Sequence, residues 1–461
     1  MIKYSGIKRI HFIGIGGAGM SGIAEVLHNM GFRISGSDIA DSSNVKALKA
    51  RGITVHLGHH PDQIREVDTV VYSSAITDAN PELAAARRKK IPVIPRAEML
   101  AELMRLKYAV AVAGTHGKTT TTSMIATVLT AAGMDPTYVV GGKLKSGESG
   151  AKLGKGDTLV AEADESDGSL LSLYSTVAVI TNIEDDHLDY YGDLRHLKAA
   201  FVQFANKVPF YGCVILNQDC SRSVKIIPRI NKKVITFGLS SKSAVRAVNI
   251  RRELFSVQFE LMFEGRRLGA VRLNTGGDHN IVNALACGAA CLFLGVSFEQ
   301  IREGLDRFYL PKRRFQILYY DRQNLVVDDY AHHPREVSVT VDLMQGGQFK
   351  RMITVFQPHR YSRLKLLMDD FARELARTDI LVVSRIYAAG QEPLPGISGK
   401  TLADKVAGLQ KTVVKYIPEF EDILAYLHRI KKKGDAFLFL SAGDLTVAAH
   451  TFARRLEANG K

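Results

Sequence analysis

Lys118 and Thr119 stand inside the stretch 108–130, YAVAVAGTHGKTTTTSMIATVLT. An ammonium and a hydroxyl side by side after a glycine-bounded turn are the groups that hold a triphosphate: the lysine against the β- and γ-phosphates, the threonine on Mg²⁺. Gly114 and Gly117 bound the turn, with Thr115 and His116 between them. Such a turn aims backbone N–H groups inward, and the helix that Thr120 opens adds its positive end. The spacing departs from G-x-x-x-x-G-K-[ST], because Val112 stands where the first glycine belongs.

A second glycine set, Gly14-Ile15-Gly16-Gly17-Ala18-Gly19, fits G-x-G-x-x-G between a strand over 8–13 and a helix over 20–29. Asp38 lies nineteen residues beyond Gly19, about where a dinucleotide fold places its ribose-binding acid. Taken alone this half reads as an NAD site. The motif, however, specifies only close approach of a diphosphate to a backbone turn, and a UDP-sugar also carries one. Ser73, Ser74 and Arg96 fall just past strand ends, where open α/β sheets bind ligands.

Carboxylates and histidines gather at further strand ends. The strand 158–161 runs into Glu162-Ala163-Asp164-Glu165-Ser166-Asp167. A carboxylate beside a phosphate loop is what a Mg²⁺ site requires. The strand 177–181 leads to Asn182-Ile183-Glu184-Asp185-Asp186-His187, at the same expected sheet edge, where a metal or phosphate role suits the histidine. Asn283 lies one turn into a helix that opens at 278. In the last third, polar loops over 328–334, 357–363 and 441–444 follow strands over 325–328, 352–356 and 436–440. They hold no phosphate loop, and their His, Arg and Asp residues point to a domain that closes over a site built elsewhere.

Stepping from strand to helix along the chain gives alternating β and α units throughout. The fold expected is α/β with three domains: a Rossmann-like domain over 1–107, a central P-loop ATPase-type domain with a mostly parallel sheet over 108–312, and a Rossmann-like α/β domain over 313–461. A hairpin is expected at 257–273, and a helix capped by Ser297 after it. The 461 residues suffice for several cores, and 46% hydrophobic with 23% charged residues is a globular composition. No apolar run reaches membrane-spanning length. The basic opening stretch leads straight into a strand and glycine turn, so a cytoplasmic location is expected. The four cysteines show no CxxC spacing, which argues against a zinc site or disulfide framework. A net charge of +14 calls for anionic partners. The basic residues are dispersed, so small anionic substrates are expected and nucleic acid is not.

Together the segments GIGGAGM (14–20), SSAI (73–76), GTHGKTTT (114–121), EADESD (162–167), NIEDDHLDYYG (182–192), DHNIVNALA (278–286), RRF (313–315), DDYAHHP (328–334) and QPHRYSR (357–363) resemble the Mur ligase family, in family order and over nearly the whole chain. Within the family they look most like the alanine-adding member, and GTHGKT is the family's own form of the phosphate loop. The resemblance implies that ATP phosphorylates the lactyl carboxylate of UDP-N-acetylmuramate and that the amine of L-alanine attacks the acyl phosphate. It implies Thr119 and Glu162 on one Mg²⁺ (Mn²⁺ an alternative) and His187 on a second. It sets Asn283, His279 and Asn280 at the adenine side, Arg314 at the γ-phosphate and Asp329 at the ATP ribose. Tyr330, His332, His359, Arg360 and Arg363 would line the alanine and acyl-phosphate pocket. Gly16, Gly17, Gly19, Ser37, Asp38, Ser73 and Arg96 would bind UDP. A monomer or a dimer is compatible with all of this.

Three rivals differ in what they leave unexplained. A sister ligase that adds a preformed peptide to the same UDP-sugar shares the chemistry. An NAD-dependent oxidoreductase leaves the 114–119 loop without a purpose. A nucleotide switch or nucleic-acid-binding protein leaves the polar strand ends of three domains without one.

Overall fold

The structure is a computed structural model that describes residues 6–141, 150–409 and 412–459; residues 1–5 of the basic opening stretch lie outside it. The chain divides into two compact units. The first comprises 1–251, 257–274 and 278–309, and the second 252–256, 275–277 and 310–461.

The first unit opens with β1 (Arg9–Ile13), α1 (Ala18–Asn29), β2 (Arg33–Asp38), α2 (Ser43–Ala50), β3 (Thr54–Leu57), β4 (Thr69–Tyr72), α3 (Pro81–Arg88), β5 (Val93–Pro95) and α4 (Arg96–Arg105). The five strands are parallel in the order β3-β2-β1-β4-β5. Strand order reverses between β1 and β4, the switch point beside which open sheets take ligands. The glycine turn follows β1, and Ser73 follows β4. The second strand runs on to Asp38, and this decides which way Ser37 faces.

The chain continues through β6 (Tyr108–Ala113), α5 (Lys118–Ala131), β7 (Thr137–Val139), β8 (Ala151–Lys152), β9 (Thr158–Glu162), β10 (Val177–Ile180), α6 (Leu188–Tyr191), α7 (Leu194–Asn206), β11 (Cys213–Asn217), α8 (Ser221–Val224), β12 (Val234–Gly238), β13 (Val245–Arg252), β14 (Val257–Phe263), β15 (Arg266–Leu273), α9 (Asp278–Phe293) and α10 (Phe298–Asp306). Ten strands form one sheet, ordered β15-β14-β13-β12-β11-β10-β6-β9-β7-β8. Its middle is parallel, and β6 sits between β9 and β10. Three strand ends therefore meet at one edge: the phosphate loop, Glu162 and Asn182. β6 and β10 are continuous apolar runs, as parallel strands covered on both faces must be. The hairpin β14–β15 and the Ser297 capping box both follow the sequence expectation. Small side chains let helices approach closely: a Cβ on Gly304 would lie 2.6 Å from the Val128 backbone of α5.

The second unit holds β16 (Gln316–Tyr320), β17 (Leu325–Asp329), α11 (Pro334–Gln345), β18 (Arg351–Phe356), α12 (Tyr361–Leu375), β19 (Ile380–Val383), α13 (Gly399–Ala407), β20 (Val413–Tyr416), α14 (Phe420–Ile430), β21 (Asp435–Leu440) and α15 (Thr446–Asn459). Its sheet runs β16-β17-β21-β18-β19-β20, parallel except for β16. Apolar cores lie on both faces. One includes Val341, Leu364 and Leu402, and the other Leu424, Phe452 and Leu456. No helix among the described residues is long and apolar enough to cross a membrane.

Candidate active site

The phosphate loop is built by β6 ending in Gly114 and α5 starting at Lys118. Both glycines are required. Gly114 has φ +130° and Gly117 φ +83°, and a Cβ on Gly114 would collide with the Thr181 hydroxyl. Asn182 braces the turn from β10. It accepts from the His116 N–H at 2.9 Å with its side chain and from Thr115 N–H at 3.2 Å with its carbonyl.

Inside this cradle Lys118 is not open. Its ammonium donates to the Gly114 carbonyl at 2.7 Å and to both oxygens of Glu165 at 2.8 and 2.9 Å. Glu165 is only 1% exposed. Burial works against the lysine's charge, but Glu165, with Asp164 and Glu162, holds the ammonium above its usual range. An anion thus already stands where a phosphate would meet the lysine. His187 Nε2 lies 3.6 Å from the same Glu165 oxygen. His187 sits at φ +59°, uncommon for a non-glycine residue, with its N–H bonded to Asp186 at 2.9 Å. The neighbouring Asp185 and Glu184 are taken up by Arg222.

Whether Mg²⁺ suits this edge rests on its donors. The Thr119 hydroxyl donates to Glu162 at 3.2 Å, so a hydroxyl and a carboxylate already face one another beside the loop. Among the described residues no three His, Cys, Asp or Glu side chains form a closed cage. Mg²⁺ bound to nucleotides takes one or two protein oxygens and completes its shell with phosphate and water, so the set fits.

Asn283 is buried on α9 and points at the loop. Its Oδ1 accepts from Thr121 at 3.3 Å and would lie 2.5 Å from a Cβ on Gly117. That places it beside the 114–119 turn. Asn280 is also buried, Thr120 likewise, and His279 is exposed.

The first glycine turn is pinned differently. Gly14 and Ile15 N–H both donate to the Ser37 carbonyl, at 2.8 and 3.0 Å, and Gly16 N–H donates to Asp38 Oδ2 at 2.8 Å. Gly17 precedes α1, and a Cβ on Gly19 would lie 2.9 Å from the Arg96 guanidinium, so Arg96 stands over the turn. Ser73 bonds back to Ile13 at 3.1 Å. Ser37 departs from expectation. Its side chain is fully buried and donates to Glu82 at 2.6 Å, so it faces inward, away from any ligand over the turn. Arg96 Nη2 lies 3.9 Å from Asp164, which also feels Lys118, so one acidic residue stands between the two loops.

In the second unit the ends of β17, β18 and β19 bring the expected residues together. His332 and His359 rings lie 5.6 Å apart, Tyr330 meets His332 edge-on at 5.3 Å, and Tyr387 stacks on His359 at 5.6 Å. Arg314 lies 5.5 Å over the Tyr330 ring and 3.6 Å from Glu336. Arg363 approaches His359 Nδ1 at 3.4 Å. Arg360 opens α12 at φ +68° and is exposed. Burial, then the neighbouring His332 and Arg363, push His359 down to about 3. His332 is also lowered, chiefly by burial. Both imidazoles are therefore neutral near pH 7. Asp329 is buried and accepts from Phe315 and Ala331 N–H at 2.6 and 2.8 Å. Burial pushes its carboxyl up to about 6.

Sequence reading missed Glu165, Asn182, Glu336 and Tyr387 as site residues. The first two lay inside the quoted segments. Tyr387 carried no signal, being a single tyrosine in a loop after β19.

Comparisons with known proteins match nearly the whole chain. Three family profiles match in succession: Mur ligase family, catalytic domain, over residues 9–108; Mur ligase middle domain over 112–291; and Mur ligase, glutamate ligase domain over 313–443. A UDP-N-acetylmuramate–L-alanine ligase from Trichlorobacter lovleyi is 49% identical, covering 98% of this chain and 100% of its own. The ligase of the same description from Geobacter sulfurreducens is 47% identical, covering 98% and 99%. Among solved structures, the UDP-N-acetylmuramate-alanine ligase of Thermotoga maritima matches with a TM-score of 0.83 and 28% identity over 98% of this chain and 100% of that one. A murein peptide ligase from Psychrobacter arcticus matches with a TM-score of 0.71 at 23% identity, which carries the fold alone.

Proposed function

The chain belongs to the Mur ligase family, and on that premise we propose that it joins L-alanine to the lactyl carboxylate of UDP-N-acetylmuramate at the expense of ATP, a cytoplasmic step of peptidoglycan precursor synthesis. The observation that carries this reading is the end-to-end match, at 49% identity, to a ligase of that description. The peptide-adding ligases match more weakly, at 23% identity and at 29% over 67% of this chain.

The chemistry assigned to each residue is the one the family resemblance implies, set against its surroundings. The lactyl carboxylate attacks the γ-phosphorus, ADP leaves, and an acyl phosphate forms. The amine nitrogen of L-alanine then attacks the acyl carbon, and the tetrahedral intermediate collapses with loss of phosphate and a proton. Lys118 and the N–H groups of the 114–119 turn hold the β- and γ-phosphates, once Lys118 exchanges Glu165 for phosphate oxygens. Asn283 fixes Gly117 beneath them. Thr119 and Glu162 would hold one Mg²⁺ and His187 a second, which supplies the charge neutralisation that lets two anions meet. Gly16, Gly17, Gly19 and Arg96 receive the diphosphate, with Asp38 keeping the turn in shape. In the second unit Arg314 serves the γ-phosphate, and Arg360 and Arg363 suit a carboxylate by their planar forks. His332, neutral near pH 7, can accept the proton of the attacking amine, while His359, too weak a base for that, can orient it by a hydrogen bond. Asp329 is assigned to the nucleotide side, through the connector that carries Arg314.

The test is phosphate release from ATP and Mg²⁺ with UDP-N-acetylmuramate, with L-alanine present or withheld. Release that requires both substrates is expected. Release that needs a peptide in place of alanine would overturn the assignment.

A further inference from the structure

Glu82 is a fully buried carboxylate that the chemistry above does not use. It lies on the first turn of α3, whose N-terminus is capped by Asn80. A carboxylate removed from water is costly unless polar partners surround it, and here two other segments donate hydrogen bonds and a third brings a histidine ring close. Ser37 at the end of β2 donates its hydroxyl at 2.6 Å. The loop after β3 supplies the His60 N–H at 3.2 Å and the His59 ring at 3.5 Å. His11 in β1, itself fully buried and bonded through Nδ1 to Ser35 at 2.9 Å, brings Nε2 to 3.4 Å. Burial disfavours the charge, but His11 and Ser37 outweigh it and hold the group below its usual range, so it stays ionised.

What these donors have in common is the glycine turn. The Ser37 carbonyl receives the Gly14 and Ile15 N–H groups, and the adjacent Asp38 receives Gly16 N–H. The Asp38 carbonyl in turn receives Gly58 N–H, which ties in the loop that carries His59. We propose that Glu82 is a positioning residue for the UDP-sugar: through Ser37 and the 58–60 loop it fixes the turn at which the substrate's diphosphate binds. The proposal rests on the reading of that turn as the UDP-sugar site.

The test is titration of the full chain with UDP-N-acetylmuramate and, separately, with a non-hydrolysable ATP analogue and Mg²⁺. Glu82→Gln keeps the shape and removes the charge. It is expected to weaken UDP-sugar binding at least about tenfold and to raise KM for that substrate alone, with analogue affinity and kcat within about twofold. Retained analogue binding shows that the protein is folded. Should E82Q fail to fold, Ser37→Ala removes only the hydroxyl and is expected to weaken UDP-sugar binding in the same selective way. Unchanged UDP-sugar affinity in whichever variant folds, or an equal loss for both ligands, overturns the proposal. If the wild type does not bind the UDP-sugar, the site reading itself fails and takes the proposal with it.

Discussion

The two glycine turns of the first unit use one backbone device for different ends. Each follows a parallel strand and opens a helix. At the first, the N–H groups of Gly14, Ile15 and Gly16 are spent on Ser37 and Asp38, leaving the start of α1 and the guanidinium of Arg96 for an anion. At the second, Asn182 braces the turn from the neighbouring strand and Lys118 is held inside it by a buried carboxylate. A turn whose donors are committed to its own fold suits a diphosphate that is held and never cleaved. A turn that stores its cation against an exchangeable anion suits a phosphate that moves.

The largest effect expected from this contrast belongs to Lys118→Ala. Turnover should fall about 10²- to 10³-fold, as for loss of one group that stabilises developing charge. UDP-sugar affinity, measured by titration, should stay within about twofold because the sites are distinct. Equal loss of both would erase the difference between the turns. The same substitution leaves Glu165 buried without its partner, which should cost about 3–5 kcal/mol of stability. Adding Glu165→Gln should restore much of the stability in denaturant unfolding and none of the turnover.

Chelation of Mg²⁺ comes next. Affinity for an ATP analogue should drop by roughly two orders of magnitude, in keeping with the several kcal/mol a metal contributes to phosphate charge. Binding of the UDP-sugar should not respond, since the facing hydroxyl and carboxylate of Thr119 and Glu162 belong to the second turn. A metal dependence of both ligands would mean that the first turn also binds through a cation.

How far this contrast was legible in the sequence depends on what each residue needs. Glycines at 14, 16, 114 and 117 announce themselves, because positive φ or close approach excludes other residues there. Lys118 and Thr119 follow from the turn, and Asn283 from its place on a core-facing helix. The partner of Lys118 does not follow. Glu162, Asp164, Glu165 and Asp167 are chemically alike, and only the bend after β9 decides which of them turns inward. Ser37 was misread for a related reason: side chains alternate along a strand, and β2 had to reach Asp38 before Ser37 could be seen to face Glu82. The strands β7 and β8 were invisible because two or three residues carry no period, and in β13 the alternation fades into exposed arginines.

A smaller effect compares the two cations. Arg96→Ala should raise KM for the UDP-sugar by about 10- to 100-fold, the order of one hydrogen bond to a charged group, while kcat stays near the wild-type value. That pattern marks binding shared equally by ground and transition states. A fall in kcat instead would place Arg96 with Lys118 among the groups that act on the reacting phosphate.

The smallest and most local difference lies within the first turn. A Cβ on Gly16 would stand 2.8 Å from Val45 and 2.9 Å from the Asp38 carboxylate that receives its N–H, so an alanine there must push the turn away from Asp38. Gly17, with φ −60°, has no neighbour closer than 3.6 Å to the added atom. Gly16→Ala should therefore weaken UDP-sugar binding by about tenfold or less, the low end of what overpacking costs. Gly17→Ala should change it by no more than about twofold, because its backbone angle and its surroundings both admit a methyl group. If instead Gly17→Ala were the more damaging, the added atom would be meeting the ligand rather than the protein. The first turn would then approach its diphosphate at the backbone as closely as the second approaches ATP, and the two would differ only in their cations.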